Sequence, residues 1–314
     1  MTLVNIREAV KKYEAVPSVN QLTLQIEAGE IFGLLGPNGA GKSTTIHMLA
    51  GLLPLDGGDM TVDGFSVRSA PLEVKRRIGL VPQELAIYDK LTAAENVTFF
   101  ARLYGLRGSQ LRERVAEALA FVGLADKAKS RPSTFSGGMK RRLNIACAIT
   151  HRPKLIIMDE PTVGIDPQSR NHILESVRTL NKLGSTIIYT SHYMEEVEAI
   201  SSRVGIMDRG RLIACGTKEE LRRLIGHEEK LVLEVERTDE QALAEMRQLH
   251  HVKSADITGP CEMEVVLGDS EAGLQDLLFI LNKYRISLRK LLLQEQDLES
   301  LFLQLTGRTL RDRE

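Results

Sequence analysis

The chain has 314 residues, 43% hydrophobic, 26% charged and 4% aromatic, with 41 Lys and Arg against 42 Asp and Glu and a formal net charge of -1. That length suits one large domain plus a smaller one, and the balance is that of a folded globular protein, which excludes disordered and fibrous classes. The lack of a basic excess and of Trp argues against a nucleic-acid partner.

Cys147, Cys215 and Cys261 are far apart with no C-x-x-C spacing, so they read as reduced thiols. The first residues lack the basic-then-apolar layout of a signal peptide, and no apolar run is long enough to span a bilayer. A cytoplasmic protein is expected, and any membrane crossing would fall to other chains.

In chain order, Leu3 to Tyr13 reads as a strand, and Leu22, Leu24 and Ile26 alternate with polar residues as a half-buried strand does. Tyr13, after Lys11-Lys12, is by itself an aromatic at a core edge. The apolar run Ile31–Leu35 feeds Gly36-Pro37-Asn38-Gly39-Ala40-Gly41-Lys42-Ser43-Thr44, which fits G-x-x-x-x-G-K-[ST], and a helix is expected from Lys42. Strand, glycine loop and helix in that order form a phosphate seat: glycines admit positive φ, successive N–H groups face an anion, and the helix adds its positive end. Lys42 is expected to reach the β- and γ-phosphates, and the Ser43 hydroxyl to ligate a bridging Mg²⁺.

Ile46, Met48, Leu49, Leu52 and Leu53 read as the face of that helix, stopped by Pro54 and Asp56-Gly57-Gly58. Met60 to Gly64 reads as a short strand and turn. Ile78 to Gln83 reads as a buried strand closed by Pro82, with Gln83 at its mouth; an amide there can ligate a metal or bond a water, or simply face solvent. From Leu91 to Ala128 the pattern becomes helical, with one face on Asn96, Phe99, Phe100, Leu103 and Tyr104 and another on Leu111, Val115, Leu119 and Val122. Ser136-Gly137-Gly138 then opens a helix carrying Leu143, Ile145, Ala146 and Ile149; it is either a second anion seat or a plain N-cap.

Lys154 to Pro161 is an apolar strand ending in Asp159-Glu160. In a parallel sheet ligands lie beyond the C-terminal strand ends, which brings this pair beside the phosphate loop. Asp159 suits Mg²⁺, and Glu160, pointing elsewhere by strand alternation, suits the orientation or deprotonation of a water. Ile165-Asp166-Pro167 turns into a helix over Asn171 to Leu183, and Thr186 to Thr190 is a strand with Ser191-His192 at its end. Asp208-Arg209-Gly210 reads as a hairpin turn, and Thr217 with Glu220 as a capping box for a short helix ending at Gly226. Beyond it come strand 231–235, helix 241–249, strand 263–267, helix 272–284 and a closing helix on Leu298, Leu301, Phe302 and Leu305. The fold expected is an α/β P-loop core, a mixed sheet flanked by helices, over residues 1–226 with a helical subdomain at about 84–153. A small α+β accessory domain is expected over 227–314.

Taken together, Tyr13, Gly36 to Thr44, Gln83, Ser136 to Met139, Leu155 to Glu160, Ile165-Asp166 and His192 resemble the ATP-binding subunit of an ABC transporter, over residues 2 to about 225. The resemblance implies that Tyr13 stacks on adenine and that Gln83 links the Mg²⁺ site to a membrane partner. It implies that Ser136 and Gly138 grip the γ-phosphate held by the opposite subunit, that Asp166 lies at the subunit seam and that His192 faces the γ-phosphate. Phe135 replaces the usual Leu before Ser-Gly-Gly, and Met139 the common Gln. The tail Gln296 to Gly307 resembles the drug, lipid and polysaccharide export branch. One phosphate loop and one Ser-Gly-Gly on different subdomains imply two chains head to tail around two ATP, a homodimer or a heterodimer with a related subunit. Integral membrane subunits are the implied partners, placing the chain on the cytoplasmic face of the cell membrane. A soluble ATPase of the same family acting in translation or chromosome maintenance is the alternative; paired domains or long coiled coils, which mark those, are absent from the sequence.

Overall fold

The computed structural model describes residues 1–14, 16–225, 229–268, 270–294 and 301–303. β1 (Thr2–Tyr13) and β2 (Val16–Glu27) pair antiparallel, with Leu22, Leu24 and Ile26 buried as the alternation predicts. β3 (Ile31–Leu35) is buried throughout and leads through the glycine loop to α1 (Lys42–Leu49). The helix stops at Leu49 because Gly51 turns the chain through φ +64, so Leu52 and Leu53 lie past it and Leu52 is exposed. β4 (Gly57–Val62) and β5 (Phe65–Ser66) complete a four-stranded antiparallel sheet in the order β2-β1-β4-β5.

α2 (Pro71–Arg77) leads into β6 (Ile78–Val81). α3 (Ala93–Leu103) opens on a Thr92–Glu95 capping box, and α4 (Gly108–Phe121) follows. The sequence misplaces the buried face of α3: Ala93, Asn96, Val97 and Ala101 are inside, whereas Phe99 and Leu103 are exposed. Small residues let this helix pack closely, and its bulky ones are left outside. α5 (Gly137–Ile149) is buried on nearly all sides from Leu143 onward.

β7 (Leu155–Asp159), α6 (Pro167–Lys182), β8 (Thr186–Thr190), α7 (Met194–Ile200), β9 (Arg203–Asp208) and β10 (Arg211–Gly216) follow. α6 starts at Pro167 rather than Asn171 because Asp166 caps it, its Oδ1 accepting the Ser169 N–H at 2.9 Å. The second sheet has the order β10-β9-β3-β8-β7-β6, parallel except for the β9–β10 hairpin. Its apolar side, α1 and the antiparallel sheet share one core that includes Phe32, Leu34, Ile46, Met60, Ile157 and Met207. This is the mixed-sheet P-loop α/β fold that the sequence predicts.

A second compact unit begins at Lys218, ahead of the join read near 226. It contains α8 (Lys218–Ile225), β11 (Glu229–Val235), α9 (Glu240–Met246), β12 (Val252–Gly259), β13 (Glu262–Leu267), α10 (Ser270–Lys283) and β14 (Leu288–Gln294). The antiparallel sheet β12-β13-β11-β14 packs its Leu231, Leu233, Met263 and Val265 against Leu243 of α9 and Leu277 of α10. β12 and β14 escape sequence reading: the first is mostly polar, and the second carries consecutive leucines without alternation. Of the expected closing helix, Leu301 and Phe302 are buried; Leu298 and Leu305 lie outside the described residues, as does most of the tail at 296–307. Among the described residues no helix is long and apolar enough to cross a membrane.

Candidate active site

Parallel pairing of β3, β8, β7 and β6 aligns their C-terminal ends, with Leu34 opposite Thr190 and Thr190 opposite Asp159. Gly36, Glu160, His192 and Gln83 therefore leave the sheet along one edge. The loop between β3 and α1 needs its glycines. A Cβ on Gly36 would lie 2.5 Å from the Met207 carbonyl oxygen, and one on Gly41, at φ +100, would collide with the Ser18 carbonyl oxygen. The hairpin turn at Gly210 presses on the loop from behind, its N–H donating to Ala40 O at 2.9 Å. Pro37 is half-buried, Asn38 and Gly39 are exposed at the tip, and Ser18 and Thr44 share a hydroxyl contact of 3.0 Å.

Lys42 is only 5% exposed, and its ammonium donates to Gly36 O at 2.7 Å and Pro37 O at 3.2 Å. Burial pushes its pKa below the ordinary lysine value, and the charges of Glu160 and Asp159 oppose that push. Glu160 links the other parts of the site: Oε1 lies 3.9 Å from Lys42 Nζ, and Oε2 lies 3.4 Å from His192 Nδ1. It takes this position because the chain leaves β7 with Glu160 at φ +46, a strained conformation for a non-glycine residue. Thr190 braces the turn, accepting the Glu160 N–H at 2.9 Å and donating to Asp159 Oδ1 at 2.7 Å. The two adjacent carboxylates thus have different partners, through a backbone kink and not through strand alternation alone.

Ser43 and Asp159 supply oxygen donors of the kind a hard dication takes. No group of three or more His, Cys, Asp or Glu side chains among the described residues could hold a metal unaided, so an ion here would draw further ligands from phosphate and water.

The remaining residues singled out in the sequence make no hydrogen bond or ion pair with this cluster. Tyr13 is 51% exposed at the end of β1, with Lys11 Nζ 5.9 Å from its ring centre. The Gln83 side chain faces solvent. Exposed Ser136 caps α5, accepting the Met139 N–H at 3.3 Å, and Gly137 beside it is exposed while Gly138 is buried. A Cβ on Gly138 would come within 2.5 Å of Ser169 Cβ and 3.5 Å of Asp166 Oδ2, so the start of α5 packs directly on the Ser169 side chain of α6. Asp166 is exposed, and the backbone bond from Ser169 holds its carboxyl below the ordinary range.

Sequence reading missed Arg141 and Glu196. Arg141 is buried, and its guanidinium donates to Pro82 O at 2.7 Å and Gln83 O at 2.6 Å, fixing the backbone that carries Gln83. Burial lowers its pKa from the ordinary arginine value. Both residues sit in charged runs, Lys140-Arg141-Arg142 and Glu195-Glu196, that look solvated, and no local signal marks the one member that turns inward.

Residues 19–163 match the family described as ABC transporter. The linearmycin resistance ATP-binding protein LnrL of Bacillus subtilis (strain 168) is 48% identical, over 98% of this chain and 98% of its own. The daunorubicin/doxorubicin resistance ATP-binding protein DrrA of Streptomyces peucetius is 39% identical, over 97% of this chain and 92% of its own. The Nod factor export ATP-binding protein I of Sinorhizobium fredii (strain NBRC 101917 / NGR234) is 36% identical, over 98% and 87%. Among solved structures, an ATP-binding subunit of an ABC transporter superposes with a TM-score of 0.66 at 30% identity, covering 71% of this chain and 93% of that one. A dimeric post-hydrolysis ATP-binding cassette bound to ADP and Pi superposes with a TM-score of 0.63 at 25% identity, covering 68% and 98%.

Proposed function

The chain belongs to the ABC transporter family as one of its ATP-binding subunits, and from that premise we propose that it is the ATP-hydrolysing motor of an exporter. The relatives named for drug resistance and for Nod factor export support the direction of transport. In this reading the loop Gly36 to Thr44 takes the phosphates of ATP and Tyr13 its adenine. Ser136 and Gly138 close on the γ-phosphate held by a second subunit, with Asp166 at the seam between them. The dimeric cassette with ADP and Pi supports a two-subunit arrangement. Separate integral membrane subunits receive the motion through the segment at Gln83, and the chain stays at the cytoplasmic face with them.

The observation that carries this reading is Glu160, held between Lys42 and His192 at 3.9 and 3.4 Å. A carboxylate fixed there accepts a proton from an attacking water and aims its lone pair at the γ-phosphorus. His192, on the other oxygen of Glu160, keeps that carboxylate oriented and offers an N–H to the γ-phosphate. Lys42 gives up its loop carbonyls to neutralise the β- and γ-phosphates. Ser43 and Asp159, with Gln83 from the next strand end, would hold Mg²⁺, which would supply neutralisation of phosphate charge.

The test is the Glu160→Gln variant. It should retain ATP, lose roughly 10²-fold or more in kcat as expected for removal of a general base, and run as a dimer on size-exclusion with ATP and Mg²⁺. A chain that stays monomeric or keeps its turnover contradicts the reading. Co-purification with ribosomes in place of an integral membrane protein would favour the soluble alternative.

A further inference from the structure

Glu196 on α7 is 3% exposed, and none of the steps above uses it. Its Oε2 accepts from hydroxyls on three different segments. Thr162, just past Glu160, donates at 2.7 Å; Tyr189, near the end of β8, at 2.8 Å; and Ser191, next to His192, at 3.0 Å. Arg170 Nε stands 3.2 Å from Oε1, a charge contact without hydrogen-bond geometry. The Arg170 guanidinium also lies 4.7 Å over the ring of Tyr193, so the residues on both sides of His192 connect to this carboxylate. Ser191 adds a turn by accepting the Tyr193 N–H at 2.9 Å. A buried carboxylate is unfavourable unless its lone pairs are used, and an apolar residue would pack this helix more simply.

We propose that Glu196 is a positioning residue for hydrolysis. By gathering Thr162 and Ser191 on one oxygen, it fixes the turn after Glu160 against the turn before His192. It thereby sets the 3.4 Å approach of His192 Nδ1 to Glu160. The inference rests on the reading of Glu160 and His192 as partners in ATP hydrolysis.

The test is steady-state ATPase of the full chain with Mg²⁺, with ATP affinity measured separately. Glu196→Gln keeps the shape but loses the charge and one acceptor oxygen; it should lower kcat about tenfold while KM for ATP changes less than about twofold. Thr162→Val should reproduce part of that loss, and Thr162→Ser, which keeps the hydroxyl, should restore it. In a His192→Ala background Glu196→Gln should cost less than about twofold, because the group it positions is gone. If His192→Ala is impaired and the two losses multiply in full, the positioning role is overturned while the proposed function stands. If His192→Ala turns over like the wild type, the reading of His192 fails and this inference fails with it. Should Glu196→Gln not fold, the threonine pair decides: equal kcat for Thr162→Val and Thr162→Ser overturns the role.

Discussion

Replacing Lys42 by Ala removes a buried ammonium with three neighbours: Gly36 O at 2.7 Å, Pro37 O at 3.2 Å and Glu160 at 3.9 Å. A hydrogen bond to a charged group contributes about 1.5–3 kcal/mol, which alone would correspond to roughly 10- to 150-fold in the Kd for ATP. The lysine does not start from water, however. It must release two carbonyl bonds that are themselves charge-assisted to reach a phosphate, so part of the gain is an exchange. The loss should therefore fall in the lower part of that range, about 10- to 30-fold. Its burial counts the other way, since an ammonium already stripped of water interacts more strongly with an incoming anion. Titration calorimetry with ATP and Mg²⁺ on the Glu160→Gln and the Lys42→Ala/Glu160→Gln chains measures the difference without hydrolysis. A Kd within twofold between them would refute the phosphate role of Lys42 and the exchange argument together.

Tyr13→Ala should weaken ATP several-fold, within the roughly 1–3 kcal/mol of a base–aromatic stack, and leave competition by inorganic phosphate unchanged; an equal effect on phosphate contradicts an adenine contact. Gly41→Ala puts a methyl against the Ser18 carbonyl in a left-handed turn, so urea unfolding should show a loss of about 1–3 kcal/mol, and an unchanged midpoint would mean the loop relaxes freely. His151, stacked on Tyr104 at 3.5 Å with Nε2 3.1 Å from Ile78 O, is pushed by burial from 6.5 down to about 4. Its depressed pKa favours the neutral ring in the fold, so the stability it contributes is present above pH 6.5 and lost as pH falls toward 4. The amount is at most about 3 kcal/mol. His151→Gln should flatten that part of the stability–pH curve, and parallel curves for the two chains would contradict it.

The parallel sheet was legible because its central strands are short unbroken apolar runs closed by chemically marked residues: Leu155–Asp159 before Glu160, and Thr186–Thr190 before His192. The glycine loop was legible because its steric need is written in residue type. What escaped depends on contacts distant in sequence. α7 is short and charged on its first turn, and its place is set by Val197 and Ser201 closing on Gly33, where a Cβ would find no room. The inward turn of Arg141 depends on carbonyls near position 82, and that of Glu196 on hydroxyls from Thr162, Tyr189 and Ser191. The kink at Glu160 likewise depends on Thr190 across the sheet, which strand alternation cannot reveal.

Gly138 at the start of α5 leaves just enough room for the Ser169 side chain at the start of α6. Ser169 fills the space that any side chain at position 138 would need, so the distance between the two helix starts is set by the lack of a Cβ there. Even one methyl group on Gly138 would have to displace that serine, and a wedge no larger than this would part the two helix starts.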